Sequence, residues 1–146
     1  MNLFGTPGMK PRFTLLVTAV IAVGCSPDPR WQTADSGHLI IPVGQAYIDD
    51  IRPFEDRRIR VTISEENGLP VVAFWLNPEE HEQAQAGALS EGLDDAMDRN
   101  MFLRGSGGDV VGETTIPQGL HYLYFQQDET SEPIELNLDY KIEVFR

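Results

Sequence analysis

The 146-residue chain is predicted to fold as an all-β protein, an antiparallel β-sandwich of jelly-roll type interrupted by one long acidic loop or short-helix insertion. Residues 58–63 and 134–144 alternate apolar and polar side chains, the period of two that sends every second residue to one face of a strand. Residues 71–76 and 120–125 are continuous apolar or aromatic runs, too short for a helix of ordinary length and suited to strands with a covered face on either side. Turn signals such as Asn67-Gly68 and Pro117-Gln118-Gly119 separate these runs, without the regular strand-then-helix order of a parallel sheet.

The chain opens with a segment outside the sandwich. Lys10 and Arg12 precede the apolar run Phe13 to Val23, which ends at Gly24-Cys25. A charged flank, a short apolar run and a small residue before the cut describe an export signal, and the run is too short to span a bilayer. Cys25 is the single cysteine. The stretch Ile21-Ala22-Val23-Gly24-Cys25 resembles the lipobox of bacterial lipoproteins, with Ala22 where that family more often has Leu. The resemblance implies cleavage between Gly24 and Cys25 and acylation of Cys25, palmitate included; more than one acyl chain is what stable anchoring requires. It also implies a place in the bacterial cell envelope. Ser26, rather than Asp, follows the cysteine, which in such lipoproteins points to the outer membrane, facing the periplasm or the cell surface. Residues 1–24 are then a signal peptide, residues 25–37 a tether and residues 38–146 the sandwich domain. Pro27 and Pro29 favour an extended spacer, and Trp31 sits either at the membrane interface or docked on the domain.

Within the domain, residues 38–42 and 46–51 are short strand candidates, and Ile59, Val61 and Ile63 share the inward face of the third. Glu65-Glu66-Asn67-Gly68 predicts a hairpin that joins residues 58–63 directly to residues 71–76. Asn77-Pro78-Glu79-Glu80 has the cap, the first-turn proline and the early acids of a helix start. Gly87, Gly92 and Gly105-Ser106-Gly107-Gly108 break regularity thereafter, so residues 77–108 are expected to form a long, mobile loop carrying at most a short helix. Residues 116–119 turn into the aromatic strand 120–125. A polar connection, residues 127–133, leads to the last strand, whose polar face holds Glu135, Asn137, Asp139, Lys141 and Glu143.

The run Thr115 to Phe125, in which a Pro-x-Gly turn leads into a tyrosine-bearing penultimate strand, resembles small sandwich modules of the bacterial pre-peptidase C-terminal and GOLD kinds. The resemblance covers roughly residues 39–146 and implies a non-catalytic domain that contacts proteins or saccharides.

Charge excludes some partners. Eleven Lys and Arg against 23 Asp and Glu give a net −12, more negative still once Lys10 and Arg12 are removed, and such a surface repels phosphate backbones. Nucleic acid is therefore not an expected partner. Catalytic signatures fail on their spacing: His81-Glu82-Gln83-Ala84-Gln85 lacks the second histidine of a zinc-protease helix, and Gly105-Ser106-Gly107 lacks the earlier glycine of a nucleophile elbow. His38 and His121 stand alone in strand-like segments, where a structural role is expected. No enzyme and no catalytic residue are expected.

Glu91, Asp94, Asp95 and Asp98 are candidate calcium ligands, since Asp94 and Asp98 would share a helical face, but they fit no EF-hand spacing and better suit solvated acids on an exposed loop. Asp49 and Asp50 point to opposite faces of a strand and do not chelate together. Trp75, Tyr122 and Tyr124 form a saccharide-stacking platform if exposed together, and core if not. The leading expectation is a lipid-anchored, non-catalytic module that binds a partner protein or joins an envelope assembly through strand edges or residues 77–108. The alternative is a saccharide- or calcium-binding module; no other cofactor is expected.

Overall fold

The computed structural model describes residues 30–87, 91–128 and 132–146; Gly24, Cys25 and the rest of the export segment lie outside the described residues. Strands β1 (Trp31–Ile41), β8 (Leu136–Phe145), β3 (Arg57–Glu65) and β6 (Asp109–Ile116) form one sheet in that spatial order, and β2 (Ala46–Ile51), β7 (His121–Gln127), β4 (Val71–Leu76) and β5 (Met101–Gly105) form the other. Every pairing is antiparallel. The chain is an all-β sandwich with two short helices, α1 (Pro78–Gln85) and α2 (Glu91–Arg99).

The period-two segments fold as their pattern dictates. Ile59, Val61 and Ile63 of β3 are fully buried and meet Leu123 and Phe125 of β7 in the core between the sheets. Leu136, Leu138 and Ile142 of β8 are buried in the same core, while Asp139 and Lys141 face solvent. Val71 to Leu76 is covered on both faces. Val71 and Ala73 enter the central core, whereas Val72, Phe74 and Leu76 face outward under α2, against Leu93 and Ala96.

The hairpin expected between residues 58–63 and 71–76 is corrected. Its turn forms, with the Gly68 N–H donating to the Glu65 carbonyl at 3.0 Å and Gly68 at φ 72°. The strands it joins lie in different sheets, however: β3 has both edges filled by β8 and β6, and β4 has both filled by β7 and β5. The connection continues through Leu69 and Pro70, and proline lacks the N–H that a ladder needs. The Glu65 carboxylate accepts from the backbone N–H groups of Asn67 and Leu69 at 2.7 and 2.9 Å and from that of Asn137 at 3.0 Å, which shapes an arch from one sheet to the other.

The long loop expected at residues 77–108 is corrected as well, because this stretch holds both helices and β5. Asn77 caps α1 as its sequence predicts: its side chain accepts from the Glu80 N–H at 2.8 Å, and the Glu80 carboxylate accepts from the Asn77 N–H at 3.0 Å. Arg99 pairs with Glu80 at 3.2 Å and ties α2 to α1. Asp94, Asp95 and Asp98 obscure the stripe of Leu93, Ala96 and Met97 that seats α2 on the sheet.

At the N-terminal side, β1 begins seven residues before the expected domain boundary, so residues 31–37 belong to the sandwich rather than to a tether. Their polar composition suits an edge strand, one side of which has no neighbouring strand among the described residues. Trp31 docks on the domain. Its ring centroid lies 5.1 Å from that of Phe145, and the Arg60 guanidinium sits 4.4 Å over it while pairing with Glu143 at 2.9 Å.

Candidate functional site

A cleft of about 450 Å³ opens on the outer face of the sheet that holds β2, β7 and β4. The cleft runs beside helix α2, and its inner lining includes Phe74, Leu76 and Tyr124, all buried, with the Phe74 and Tyr124 rings stacked at 4.9 Å. Leu93, Asp94 and Met97 of α2 form one wall. The opposite side is built by the β1–β2 turn and by Pro133 and Ile134, which lead into β8. Gly44 permits that turn at φ 75°, and the Gln45 N–H donates to the Pro42 carbonyl at 3.1 Å. Pairing of Ile41 with Leu136 brings the two chain segments of this opposite wall side by side. Near this opening, Val43 is 54% and Ile134 44% exposed, large apolar side chains left in water. Gln126, Gln127 and Asp128 supply polar groups, and Asp128 is held by Arg104 through contacts of 2.8 and 3.2 Å. The chemistry on offer is apolar contact with a few flanking amides and carboxylates.

Beside the cleft, α1 lays His81 on two tyrosines. The imidazole stacks on Tyr122 at 3.6 Å between centroids, and its Nδ1 is hydrogen-bonded to the Tyr124 hydroxyl at 2.7 Å. Burial lowers the His81 pKa below its ordinary value and pushes that of Tyr124 up to about 12, so both are neutral near pH 7. A histidine held neutral in the folded chain stabilises above its ordinary pKa of 6.5, and that contribution is lost as pH falls. His38 works in the opposite sense, because its exposed bond to Asp139 raises its pKa. Urea unfolding of His81→Gln is therefore expected to lose less stability between pH 7 and pH 5 than the unaltered chain; equal losses would assign the acid sensitivity elsewhere.

A second polar cluster closes the seam between the edge strands β1 and β2. Tyr140 donates to Asp35 at 3.0 Å, and Tyr47 donates to the buried Asp49 at 3.4 Å. Burial is the main reason that the Tyr47 pKa lies far above its ordinary value and that the Tyr140 pKa rises to about 12. Gly37 allows the Tyr140 ring to lie against β1, where an added Cβ would meet it at 3.4 Å. Both phenols act as neutral donors, and an inward-pointing carboxylate such as Asp49 also deters a second chain from pairing with the β2 edge.

The residues singled out from sequence separate accordingly. Trp75 faces the central core, donates from Nε1 to the Thr114 hydroxyl at 3.2 Å and meets His121 edge-on, whereas Tyr122 and Tyr124 lie on the opposite face of the same sheet. The three do not form one stacking platform, because successive residues of a strand alternate faces and Trp75 pairs with Leu123, between the tyrosines. Asp94 borders the cleft, and Asp95 and Asp98 are exposed on α2; the side chain of Glu91 lies outside the described residues. Among the described residues, no group of three or more His, Cys, Asp and Glu is placed to hold a metal ion. His121 is buried with its Nδ1 3.1 Å from the Gly119 carbonyl, a structural role. Asp49 and Asp50 point to opposite faces as expected.

Sequence reasoning missed the cleft, because its walls meet only once α2 has docked and β1 has turned. The available signals were the Leu93, Ala96 and Met97 stripe and the apolar Val43 beside Gly44.

No family model matches the chain, and no curated protein matches it. Among solved structures it is similar to the pre-peptidase C-terminal domain of a collagenase from Bacillus anthracis, at TM-score 0.44 and 11% identity over 74% of this chain and 87% of that one. It is also similar to Aeromonas hydrophila PliG, a periplasmic inhibitor of g-type lysozyme, at TM-score 0.45 and 11% identity over 79% of this chain and 86% of that one.

Proposed function

We propose that the chain is a lipid-anchored bacterial envelope lipoprotein whose sandwich is a non-catalytic module, and that it binds a partner protein in the cleft beside α2. The observation that carries this reading is the exposed apolar pair Val43 and Ile134 beside the cleft, whose deeper lining of Phe74, Leu76 and Tyr124 is buried. Exposed apolar side chains beside such a cleft suit an apolar segment of another protein better than a polar sugar. Acylation at Cys25 holds the module at the envelope.

Affinity capture from native envelope tests the proposal. The unaltered protein is expected to recover one defined partner, and Val43→Asp with Ile134→Asp, both surface changes that leave the core intact, is expected to lose it. Capture unaffected by the double substitution rejects the cleft. Separately, Cys25→Ala is expected to leave the membrane fraction; retention after a high-salt wash rejects the anchor.

A further inference from the structure

The opening beside α2 is apolar at its rim and acidic around it, and the two properties together specify what enters. We propose that the occupant of the cleft is a cationic, apolar segment of a partner protein, which lays aliphatic or aromatic side chains against Val43 and Ile134 and an arginine or lysine beside Asp94. The inference rests on the reading of the cleft as a protein-binding site and adds the chemistry of the partner.

Carboxylates outnumber cations where the cleft opens. Asp94 lines the wall made by α2, and Asp98 follows it by four residues on the same flank of the helix. Both are exposed, and neither is in an ion pair among the described residues. Asp128, on the lining too, is held by Arg104 at 2.8 and 3.2 Å, and the charge of Asp98 acts on the same guanidinium. One cation therefore answers three carboxylates. Glu132 and Glu135, both exposed, bracket the lining pair Pro133 and Ile134 and add to the surplus. The remaining cations are engaged elsewhere or distant. Arg99 pairs with Glu80, while Arg58, Arg60 and Lys141 pair with Glu113 and Glu143 on the outer face of the other sheet. Arg30, Arg52, Arg57 and Arg146 lie at the end of the sandwich where β1 begins, and the cleft lies where β1 ends.

These acids do nothing for the helix that carries them. Asp94 and Asp98 stand at the i, i+4 spacing at which like charges weaken a helix. Asp98 also occupies the last turn, at the negative end of the helix dipole, where an acid is unfavourable. A cation seated beside them relieves both. At about 450 Å³ the cleft falls within the range of about 300–1,000 Å³ that ligand sites occupy, and Met97 on its wall is unbranched and adapts to the side chain that enters. Other occupants fit less well. A second copy of this chain brings its own net −12 and an anionic lipid surface brings phosphates, and the same carboxylates repel both. For a cationic segment, the negative potential at the opening raises the rate of encounter.

Fluorescence anisotropy of labelled short peptides tests the proposal, with the full-length acylated protein in phosphatidylcholine nanodiscs. The peptides differ only in chemistry: leucines flanked by arginines, the same leucines flanked by glutamates, and serines flanked by the same arginines. The arginine-leucine peptide is expected to bind about tenfold more tightly than either control. Asp94→Asn with Asp98→Asn is expected to weaken it about fivefold, the worth of two exposed charge pairs, without lowering the melting temperature. Val43→Ser with Ile134→Ser, which leaves the charge unchanged, should weaken it at least as much. Raising the salt from about 0.1 M to about 1 M shortens the Debye length from about 10 Å to about 3 Å and should reproduce the loss seen with the asparagine pair. Equal binding of the arginine and glutamate peptides, or indifference to the asparagine pair, overturns the proposal; if the serine pair still abolishes binding of both, the cleft stands as a protein site without preference for charge. Equal binding of the two arginine peptides reduces the effect to a general acidic surface and overturns it as well. Binding of none of the peptides, or binding that survives the serine pair, rejects the proposal together with the reading of the cleft. Self-association that the serine pair abolishes puts a second copy of this chain there instead.

Discussion

Gly112→Ala is expected to lower the stability of the fold by about 3 kcal/mol, at the upper end of what overpacking costs, because nothing near the new methyl group can rotate away. A Cβ at residue 112 would lie 2.2 Å from the Phe102 carbonyl oxygen and 2.9 Å from the Leu103 Cα, both backbone atoms, and 2.8 Å from the Leu103 Cβ. The position is exacting because β6 ends one sheet and β5 ends the other, and the two edges touch where Gly112 crosses Phe102. Relief requires β5 and β6 to separate, which would open that side of the core beside Leu103 and Val110. Gly44→Ala is the control: no atom lies within 4 Å of the point its methyl group would occupy, but φ is 75°, so only the left-handed backbone penalty of about 1–2 kcal/mol applies. Urea unfolding of both variants reads the difference. A Gly112→Ala protein no less stable than Gly44→Ala would mean that the two sheet edges do not meet as described.

The strands that were legible in the sequence are those whose neighbours do not alter their pattern. Ile59, Val61 and Ile63 alternate because β3 has one face in the core and one in water, and Ala46 to Ile51 is bounded by Gly44 and Pro53 in sequence as in structure. The partners of those strands were not legible. Asn67-Gly68 marks a turn, but a turn signal does not say whether the next strand pairs with the last, and here Pro70 and the Glu65 carboxylate carry the chain to the other sheet. Strand β6 was hidden for a related reason: Gly112, which reads as a weak strand residue, is required by the close approach of β5. The candidate site suffered most. Trp75, Tyr122 and Tyr124 look alike as aromatic residues in apolar runs, and only the register of β4 on β7 shows that Trp75 faces the core and the tyrosines face α1.

Glu65→Ala is the second large effect, expected to cost about 3–5 kcal/mol, since three backbone N–H groups lose their acceptor at about 1–3 kcal/mol each and water reaches some of them. Glu65 is only 5% exposed, and each of its carboxylate oxygens is engaged, Oε1 by Asn67 and Leu69 and Oε2 by Asn137. The last contact matters most for the fold, because Asn137 lies in β8, and the Glu66 N–H reinforces it by donating to the Asn137 carbonyl at 2.8 Å. One carboxylate therefore fixes both the arch that leaves β3 and the neighbouring strand of the sheet being left. Glu65→Gln separates these roles. Its amide keeps one acceptor oxygen but turns an NH₂ donor toward a backbone N–H, so it is expected to lose about half as much as the alanine variant. Hydrogen exchange locates the damage: in the alanine variant the Asn67, Leu69 and Asn137 amides should lose protection together, ahead of Ile59 and Val61 in the middle of β3. Protection lost only at Asn67 and Leu69 would make Glu65 a local turn residue and would leave the crossing between sheets to Pro70 and the core.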